Sequence, residues 1–227
     1  MGKDAPNNKE LAPLGHYLAK YAATPPESIA VRCQVPFDAG ASSFALEILA
    51  QPLRATWPGF ELSPLDGEAC PPALYGAAAR ILLLRHLLEG VSAPSGGRFL
   101  AYRELPWGEV YDGNFQGRCV RRLARTFGVR LGDFARAAQR LGGAPTAPGG
   151  GAGREDGREA WELAFLPDVK VRLLLRAGDE EFPASAQFLF SDNAALAFSA
   201  EDLAVVGDLV VAALAAADSR GHRPATG

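Results

Sequence analysis

The spacing of hydrophobic residues divides the chain into helical and extended segments. Leu14, Leu18 and Tyr21 recur at intervals of three and four residues, which is typical of one face of a helix. Phe44 and Leu46 instead alternate with their neighbours, which predicts a strand. Helices are predicted at 11–22, 26–33, 73–88, 115–127 and 131–141, and from a cap at Ser199 onward. Strands are predicted at 44–49, 53–57, 98–105, 161–166, 169–176, 185–190 and 195–198.

The order of these segments indicates the fold class. It runs from helices to strands, again to helices and strands, and ends on a helix, without regular alternation of strand and helix. This order is typical of an α+β fold in which helices cover a largely antiparallel sheet. Between the predicted elements, residues 107–114 are interpreted as a turn-rich loop.

Length and composition favour a single globular domain. The chain has 227 residues, of which 48% are hydrophobic, and this is enough for one sizeable core. Residues 144–157 are rich in glycine and proline, and we interpret them as a flexible insertion within the domain, with a boundary between two parts as the alternative. The predicted domain spans 10–217, with disordered residues at 1–9 and 218–227.

Charge and cysteine content narrow the function classes. The net charge is −3, which gives no general attraction to nucleic acid or to an anionic membrane. The three cysteines are dispersed, which favours a reducing compartment. The first ten residues are polar, and the apolar 73–88 segment is shorter than the roughly 20 residues that a membrane span needs. We therefore expect a soluble, cytoplasmic protein.

The first candidate site combines aromatic and charged residues in the segment after residue 102. Trp107 and Tyr111 are suited to stack on a planar ligand, and Arg103 to bind a carboxylate or phosphate. The alternative is an ordered loop that its aromatic residues hold in place. The predicted ligand-binding residues are Arg103, Glu104, Trp107, Tyr111, Arg118, Asp179 and Glu181. The 103–118 and 178–192 segments are expected to face each other across the ligand.

The second candidate site is the acidic turn at 179–181. With Asp192, these carboxylates are suited to bind a divalent cation or to act as acid and base in a metal-dependent hydrolase or group transferase. Side chains alternate along a strand, so Asp179 and Glu181 share a face. The alternative is a charged hairpin turn at the end of a sheet.

The third candidate site is a stripe of arginines on one face of the predicted 115–127 helix. Arg118, Arg121, Arg122 and Arg125 are suited to a polyanionic ligand or an acidic protein partner, or they form a solvated helix face. Cys119 on the same helix is expected to be a buried thiol. No catalytic or metal-binding motif is present, so catalytic residues and cofactors stay unassigned and no metal ligands are predicted.

Two stretches carry a resemblance to a known family. The first is 99–106, continuing through Tyr111, Phe115, Arg118 and Leu123 to Phe127 and Gly128; the second comprises 166–167, 171–175, 178–183, 188–190 and 201–203. Over residues 10–212, the chain resembles the bacterial and archaeal family called domain of unknown function 3786 (DUF3786).

The resemblance implies little about activity. The family carries no established reaction, is typical of anaerobic microbes, and includes relatives with an additional cysteine-rich iron–sulfur module. Three dispersed cysteines do not supply the four thiolates of such a module, so a link to iron–sulfur or corrinoid metabolism stays weak here. We expect an accessory or binding protein for a small molecule, cofactor or protein partner in anaerobic metabolism. The alternatives are the metal-dependent enzyme and the protein-interaction module.

Overall fold

The computed structural model describes residues 8–65, 70–146 and 157–221. The helices are α1 (Asn8–Ala23), α2 (Pro26–Cys33), α3 (Ala77–Glu89), α4 (Gly108–Phe115), α5 (Arg121–Phe127), α6 (Leu131–Arg140), α7 (Ala194–Ala197) and α8 (Ala200–Gly221). The strands are β1 (Phe37–Asp38), β2 (Ser43–Ile48), β3 (Gln51–Thr56), β4 (Leu62–Pro64), β5 (Phe99–Ala101), β6 (Ala144–Pro145), β7 (Arg158–Ala164), β8 (Lys170–Arg176) and β9 (Ser185–Ser191). Turns of 3₁₀-helix lie at Pro72–Leu74 and Tyr102–Glu104, and a π-helical turn lies at Gln116–Val120.

The strands form two antiparallel sheets rather than the one sheet that we expected. The first sheet has the order β1-β2-β3-β4, and the second has the order β5-β9-β8-β7-β6. In the register of the second sheet, Leu173 on β8 lies opposite Phe188 on β9. The α+β class and the antiparallel pairing are therefore confirmed. None of the described helices combines the length and the apolar character needed to cross a bilayer.

Helix α1 covers the first sheet. Tyr21 is fully buried, its ring centroid lies 5.2 Å from that of Phe60, and its hydroxyl donates to the carbonyl oxygen of Thr56 at 3.2 Å. The alternation in β2 places Phe44 and Leu46 on the buried face beneath this helix. The apolar face of α1 and the period-two pattern of β2 thus meet in one layer of the core.

A continuous helix covers the second sheet. Helix α4, the π-helical turn and α5 form one rod from 108 to 127, here called the 108–127 helix. Phe115 is its anchor: the ring stacks on Tyr102 at a centroid distance of 4.1 Å and lies 5.6 Å from Phe188 on β9. Helix α8 packs closely behind it, since a Cβ atom at Gly207 would lie 2.7 Å from the Cys119 sulfur.

The tip of the β2–β3 hairpin joins the two sheets. Leu49 and Ala50 form this tip with left-handed φ values of 50° and 56°. Such values are unfavourable for residues other than glycine, but Leu49 is fully buried and its N–H donates to Ala164 of β7 at 3.1 Å. The buried side chains of both sheets form one continuous hydrophobic cluster. The arrangement is a single domain.

Several predicted elements were wrong. The predicted loop at 107–114 is helix α4, because the packing of Phe115 on β9 outweighs the low helix propensity of Gly108 and Gly113. The predicted strand at 195–198 is the short helix α7, whose alanine-rich sequence favours a helix. Strand β4 was missed because it is short and ends at Pro64.

The predicted limits of the domain also differ from the structure. Helix α1 begins at Asn8, within the 1–9 segment that was expected to be disordered. Helix α8 continues to Gly221, so 218–221 are helical rather than part of a disordered tail. The predicted insertion begins with strand β6, and its residues 147–156 lie outside the described part of the chain, as do 1–7 and 222–227.

Candidate functional site

A cavity of about 480 Å³ opens where the two sheets meet. It lies between the end of α2, the edge of β2, helix α3 and the turn that joins β7 to β8. Val35, Pro36, Leu46, Leu166 and Pro167 form much of its apolar wall. A volume of this size falls within the range of about 300–1,000 Å³ that is usual for small-molecule sites.

Local backbone geometry keeps this space open. Helix α2 ends at Cys33, and the left-handed φ of 51° at the next residue, Gln34, turns the chain so that Pro36 lies beside β2. The N–H of Ala45 donates to the carbonyl oxygen of Pro36 at 3.0 Å. Since residues two apart on a strand direct their backbone groups to the same edge, the N–H and C=O of Glu47 face this edge too. Strand β1 pairs with β2 only at Ser43 and Phe44, and therefore leaves the edge at Glu47 uncovered.

Two carboxylates border the cavity. Asp168 accepts hydrogen bonds through one oxygen from the Ser92 hydroxyl at 2.6 Å and from the Ala93 N–H at 3.2 Å. Glu47 is exposed, and no ion pair or hydrogen bond of its side chain is found within the described ranges. No lysine or arginine belongs to the described lining. The Arg32 guanidinium lies nearby but donates to the carbonyl oxygens of Gly90 and Leu87, so the two carboxylates make the cavity better suited to neutral or positively charged ligand groups than to anions.

Cys33 and His86 add uncharged polar groups to the wall. The Cys33 thiol lies 3.6 Å from the carbonyl oxygens of His86 and Gly90, and burial raises its pKa. The His86 Nδ1 lies 3.2 Å from the Ala197 carbonyl oxygen, and burial lowers the pKa of the ring. A protonated thiol is a poor nucleophile. The site is therefore suited to holding a ligand by shape and hydrogen bonding.

The predicted residues after Ala101 lie on the surface, away from this cavity. Trp107, immediately before α4, is 76% exposed, and Tyr111, in the first turn of α4, is 39% exposed. Arg103 is also exposed, and Glu104 accepts a hydrogen bond from the Ala101 N–H at 2.6 Å, which closes the 3₁₀ turn. These side chains share an exposed surface rather than an enclosed pocket.

The acidic turn is held by its own local contacts. Asp179 accepts hydrogen bonds from the Phe182 N–H at 2.7 Å and from Arg176 at 2.8 Å. The backbone hydrogen bond from Phe182 is the main reason that its pKa lies below the ordinary value. Glu181 is exposed. These contacts match the alternative interpretation of a charged hairpin turn.

Asp192 lies at the other end of β9 from this turn. Its carboxylate accepts hydrogen bonds from the Ser95 hydroxyl at 2.7 Å and from the Gly96 N–H at 2.9 Å, and the Ser95 bond is the main reason that its pKa is lowered. A strand rises about 3.3 Å per residue, so the two ends of β9 lie about 20 Å apart. Asp179 and Asp192 are too far apart to bind one cation.

The two halves of the predicted ligand site are also separated. The Gly178 N–H donates to the Gly128 carbonyl oxygen at 3.4 Å, which places the acidic turn at the end of α5. Trp107 precedes the opposite end of the 108–127 helix, which is about 30 Å long at 1.5 Å per residue. The structure brings Arg103, Trp107 and Tyr111 onto one surface but does not bring Asp179 and Glu181 to them.

The arginine stripe borders an open groove on the outer face of the 108–127 helix. Arg118, Arg121, Arg122 and Arg125 line it, together with Asp208 from α8. Arg118 forms an ion pair with Asp208. Cys119 is fully buried, and burial, followed by the charge of Asp208, raises its pKa to about 12. The prediction of a buried thiol is confirmed.

The described part of the chain contains no cluster of side chains arranged to bind a metal ion. Among these residues, no group of three or more histidine, cysteine, aspartate or glutamate side chains converges closely enough to hold a metal ion. The three cysteines are free and buried.

The fold and the cavity define an α+β protein built on two antiparallel sheets, with a ligand-sized space between them. A family model described as a domain of unknown function (DUF3786) matches residues 25–213. The chain therefore belongs to this family, as its sequence motifs indicated. No curated protein and no solved structure matches the chain.

Sequence reasoning missed the residues of the cavity. Cys33, Glu47, Ser92 and Asp168 lie far apart in the sequence and carry no common motif. One signal was present, since the Leu166-Pro167 pair in the family resemblance borders the cavity.

Proposed function

We propose that this protein binds a small molecule with an apolar body in the cavity between the two sheets. The observation that carries the proposal is a space of about 480 Å³ with mostly apolar walls and a few polar groups at its border. This combination is typical of ligand sites. The proposal keeps the expected binding role and moves the ligand away from the surface around Trp107.

The polar residues at the border of the cavity determine which charge and hydrogen-bonding groups of a ligand are favoured. Glu47 and Asp168 disfavour an anionic head group, and the Cys33 thiol and His86 ring are uncharged near neutral pH because burial opposes their charged forms. A neutral or positively charged ligand with one or two hydrogen-bond donors suits these acceptors best.

The alternative of a metal-dependent enzyme has less support. The carboxylates on which it rests, at 179–181 and Asp192, lie at opposite ends of β9 and are engaged in separate local contacts. A role in anaerobic metabolism and a location in the cytoplasm remain predictions from the sequence.

Native mass spectrometry of protein purified without oxygen tests the proposal. The expected result is an additional small-molecule mass that leaves on denaturation, or a gain in melting temperature with neutral or cationic aromatic fragments. The variant Ala45→Phe should abolish either signal, because Ala45 lines the cavity from an exposed position on β2 where a larger side chain is tolerated.

The matched control is Ser63→Phe, an exposed position on β4 of the same sheet that does not line the cavity. It should retain ligand and fragments like the parent protein. A parent protein that carries no extra mass and responds to no fragment would reject the cavity as a ligand site, as would equal binding by Ala45→Phe.

A further inference from the structure

A second site lies on the outer face of the 108–127 helix and is independent of the cavity. It is an open groove of about 540 Å³. Gly113, Gly117, Arg121 and Arg125 follow one another at intervals of four residues, so they lie along one line of the helix. The two glycines leave the first half of this line without side chains, and the arginines border the second half.

The packing of the opposite helix face fixes the direction of these arginines. Phe115, Cys119 and Leu123 are fully or almost fully buried against the second sheet and α8, so the helix cannot rotate. The Arg121 guanidinium lies over Gly117, one turn earlier in the helix, as shown by the 3.0 Å that would separate a Cβ atom at Gly117 from the Arg121 Nη2 atom. The groove is therefore a fixed feature of the fold.

The charges in the groove are not balanced by the protein. Among the described lining residues, Asp208 is the only acidic one, and it forms an ion pair with Arg118. Within the described ranges, Arg121, Arg122 and Arg125 make no ion pair and donate no side-chain hydrogen bond. Three positive charges are thus concentrated in one groove of a chain whose net charge is −3.

We propose that this groove binds a compact ligand that carries two or more phosphate groups. Guanidinium groups donate in a planar fork that matches phosphate oxygens, and each phosphate group supplies at least about one negative charge and several acceptors. Adjacent phosphates therefore neutralise three neighbouring arginines within a short length. A long polyanion is disfavoured, because the acidic remainder of the protein repels it.

Isothermal titration with inorganic pyrophosphate tests the proposal. We expect binding that weakens as salt rises, because exposed charges are screened. The double variant Arg121→Gln/Arg125→Gln should weaken binding by more than about tenfold, since each arginine loses charged hydrogen bonds to the ligand. Both side chains are exposed, so the variant should keep the circular dichroism spectrum and melting temperature of the parent protein.

The matched control is Arg54→Gln, an exposed arginine on β3 that does not line the groove. It should bind pyrophosphate like the parent protein. No binding of pyrophosphate to the parent protein, or an equal loss in Arg54→Gln, overturns the proposal. Tighter binding of single-stranded DNA or of an acidic peptide through Arg121 and Arg125 overturns it in favour of a macromolecular partner.

Discussion

The cavity between the sheets and the arginine groove are built in opposite ways. The cavity takes its walls from α2, β2, α3 and the β7–β8 turn, which are brought together only by folding. The groove takes almost all of its residues from one stretch of helix, with Asp208 as the contribution of another element. The difference shows that an open site can follow a local sequence pattern, whereas an enclosed site depends on the packing of distant segments.

The two regions also respond to different solution conditions. The cavity wall contains the buried imidazole of His86, whose pKa is lowered by burial. The stability of this side of the protein therefore depends on pH. The groove contains exposed guanidinium groups, so its interactions depend on salt. Four predictions test how far these two regions differ.

The largest effect is expected at Phe115, which anchors the 108–127 helix on the sheet. Phe115→Ala removes a fully buried ring between Tyr102 and Phe188 and should lower the free energy of unfolding by about 3–5 kcal/mol. Urea unfolding followed by circular dichroism measures this. Trp107→Ala deletes an aromatic ring that is 76% exposed and should change stability by less than about 0.5 kcal/mol. Similar losses in both variants would contradict this anchoring role.

The next effect concerns the cavity side, at Asp168. Asp168→Ala removes the acceptor of hydrogen bonds from Ser92 and Ala93 and should cost about 1.5–3 kcal/mol of unfolding free energy, measured by urea denaturation. Glu47→Ala at the opposite border should cost less than about 0.5 kcal/mol, because this exposed side chain loses no ion pair or hydrogen bond to any residue that the structure describes. If Glu47→Ala is the more damaging variant, Glu47 has a structural role that its exposure does not suggest.

A third effect tests the spacing of the groove helix and α8. Gly207→Ala should lower the unfolding free energy by about 1–3 kcal/mol, because its Cβ would lie 2.7 Å from the Cys119 sulfur and 2.8 Å from the Phe115 ring. Gly113→Ala should instead stabilise by about 0.5–1 kcal/mol, because a Cβ there meets no atom within 4 Å and alanine favours the helix. Thermal and urea denaturation of the pair should show opposite signs. The same sign in both would reject close packing at Gly207.

The smallest effect is a pH dependence on the cavity side. Burial holds the His86 pKa below its ordinary value of 6.5 in the folded protein, against a partly compensating hydrogen bond to Ala197 and the charge of Asp168. Below pH 6.5 the unfolded chain therefore binds a proton that the folded protein does not, and the free energy of unfolding falls as the pH decreases towards the folded-state pKa.

His86→Gln removes this titration and keeps a polar group near Ala197. Urea unfolding between pH 7 and pH 5 should therefore show a steeper loss of stability in the parent protein than in the variant. Parallel curves for the two proteins would mean that the protonation of His86 does not contribute.

Local patterns predicted much of the secondary structure. The α2 helix was found at 26–33 as predicted, because a proline in the first turn and a short apolar face are both local signals. The cap of α8 was also confirmed, since the Asp202 N–H donates to the Ser199 hydroxyl at 3.2 Å. The predicted loop at 107–114 failed because its glycines and asparagine argue against a helix until Phe115 packs on β9.

The candidate sites also differ in whether local sequence spacing was enough to predict them. The arginine stripe was visible because positions three and four apart in a helix share a face whatever the rest of the fold does. The separation of Trp107 from the acidic turn at 179–181 was not visible, because it depends on the direction in which the 108–127 helix crosses β9.

The sequence by itself determined the α+β class, the family, the buried thiol at Cys119 and the arginine face, because each follows from composition, motif or spacing along the chain. Only the tertiary structure decided that the strands form two sheets and that a cavity lies between them. The physical reason is that Leu49 and Ala50 adopt left-handed backbone angles that their residue types disfavour, and the burial of Leu49 and its hydrogen bond to Ala164 of β7 stabilise this turn. An interaction between such distant segments cannot be predicted from the local spacing of residues in the sequence.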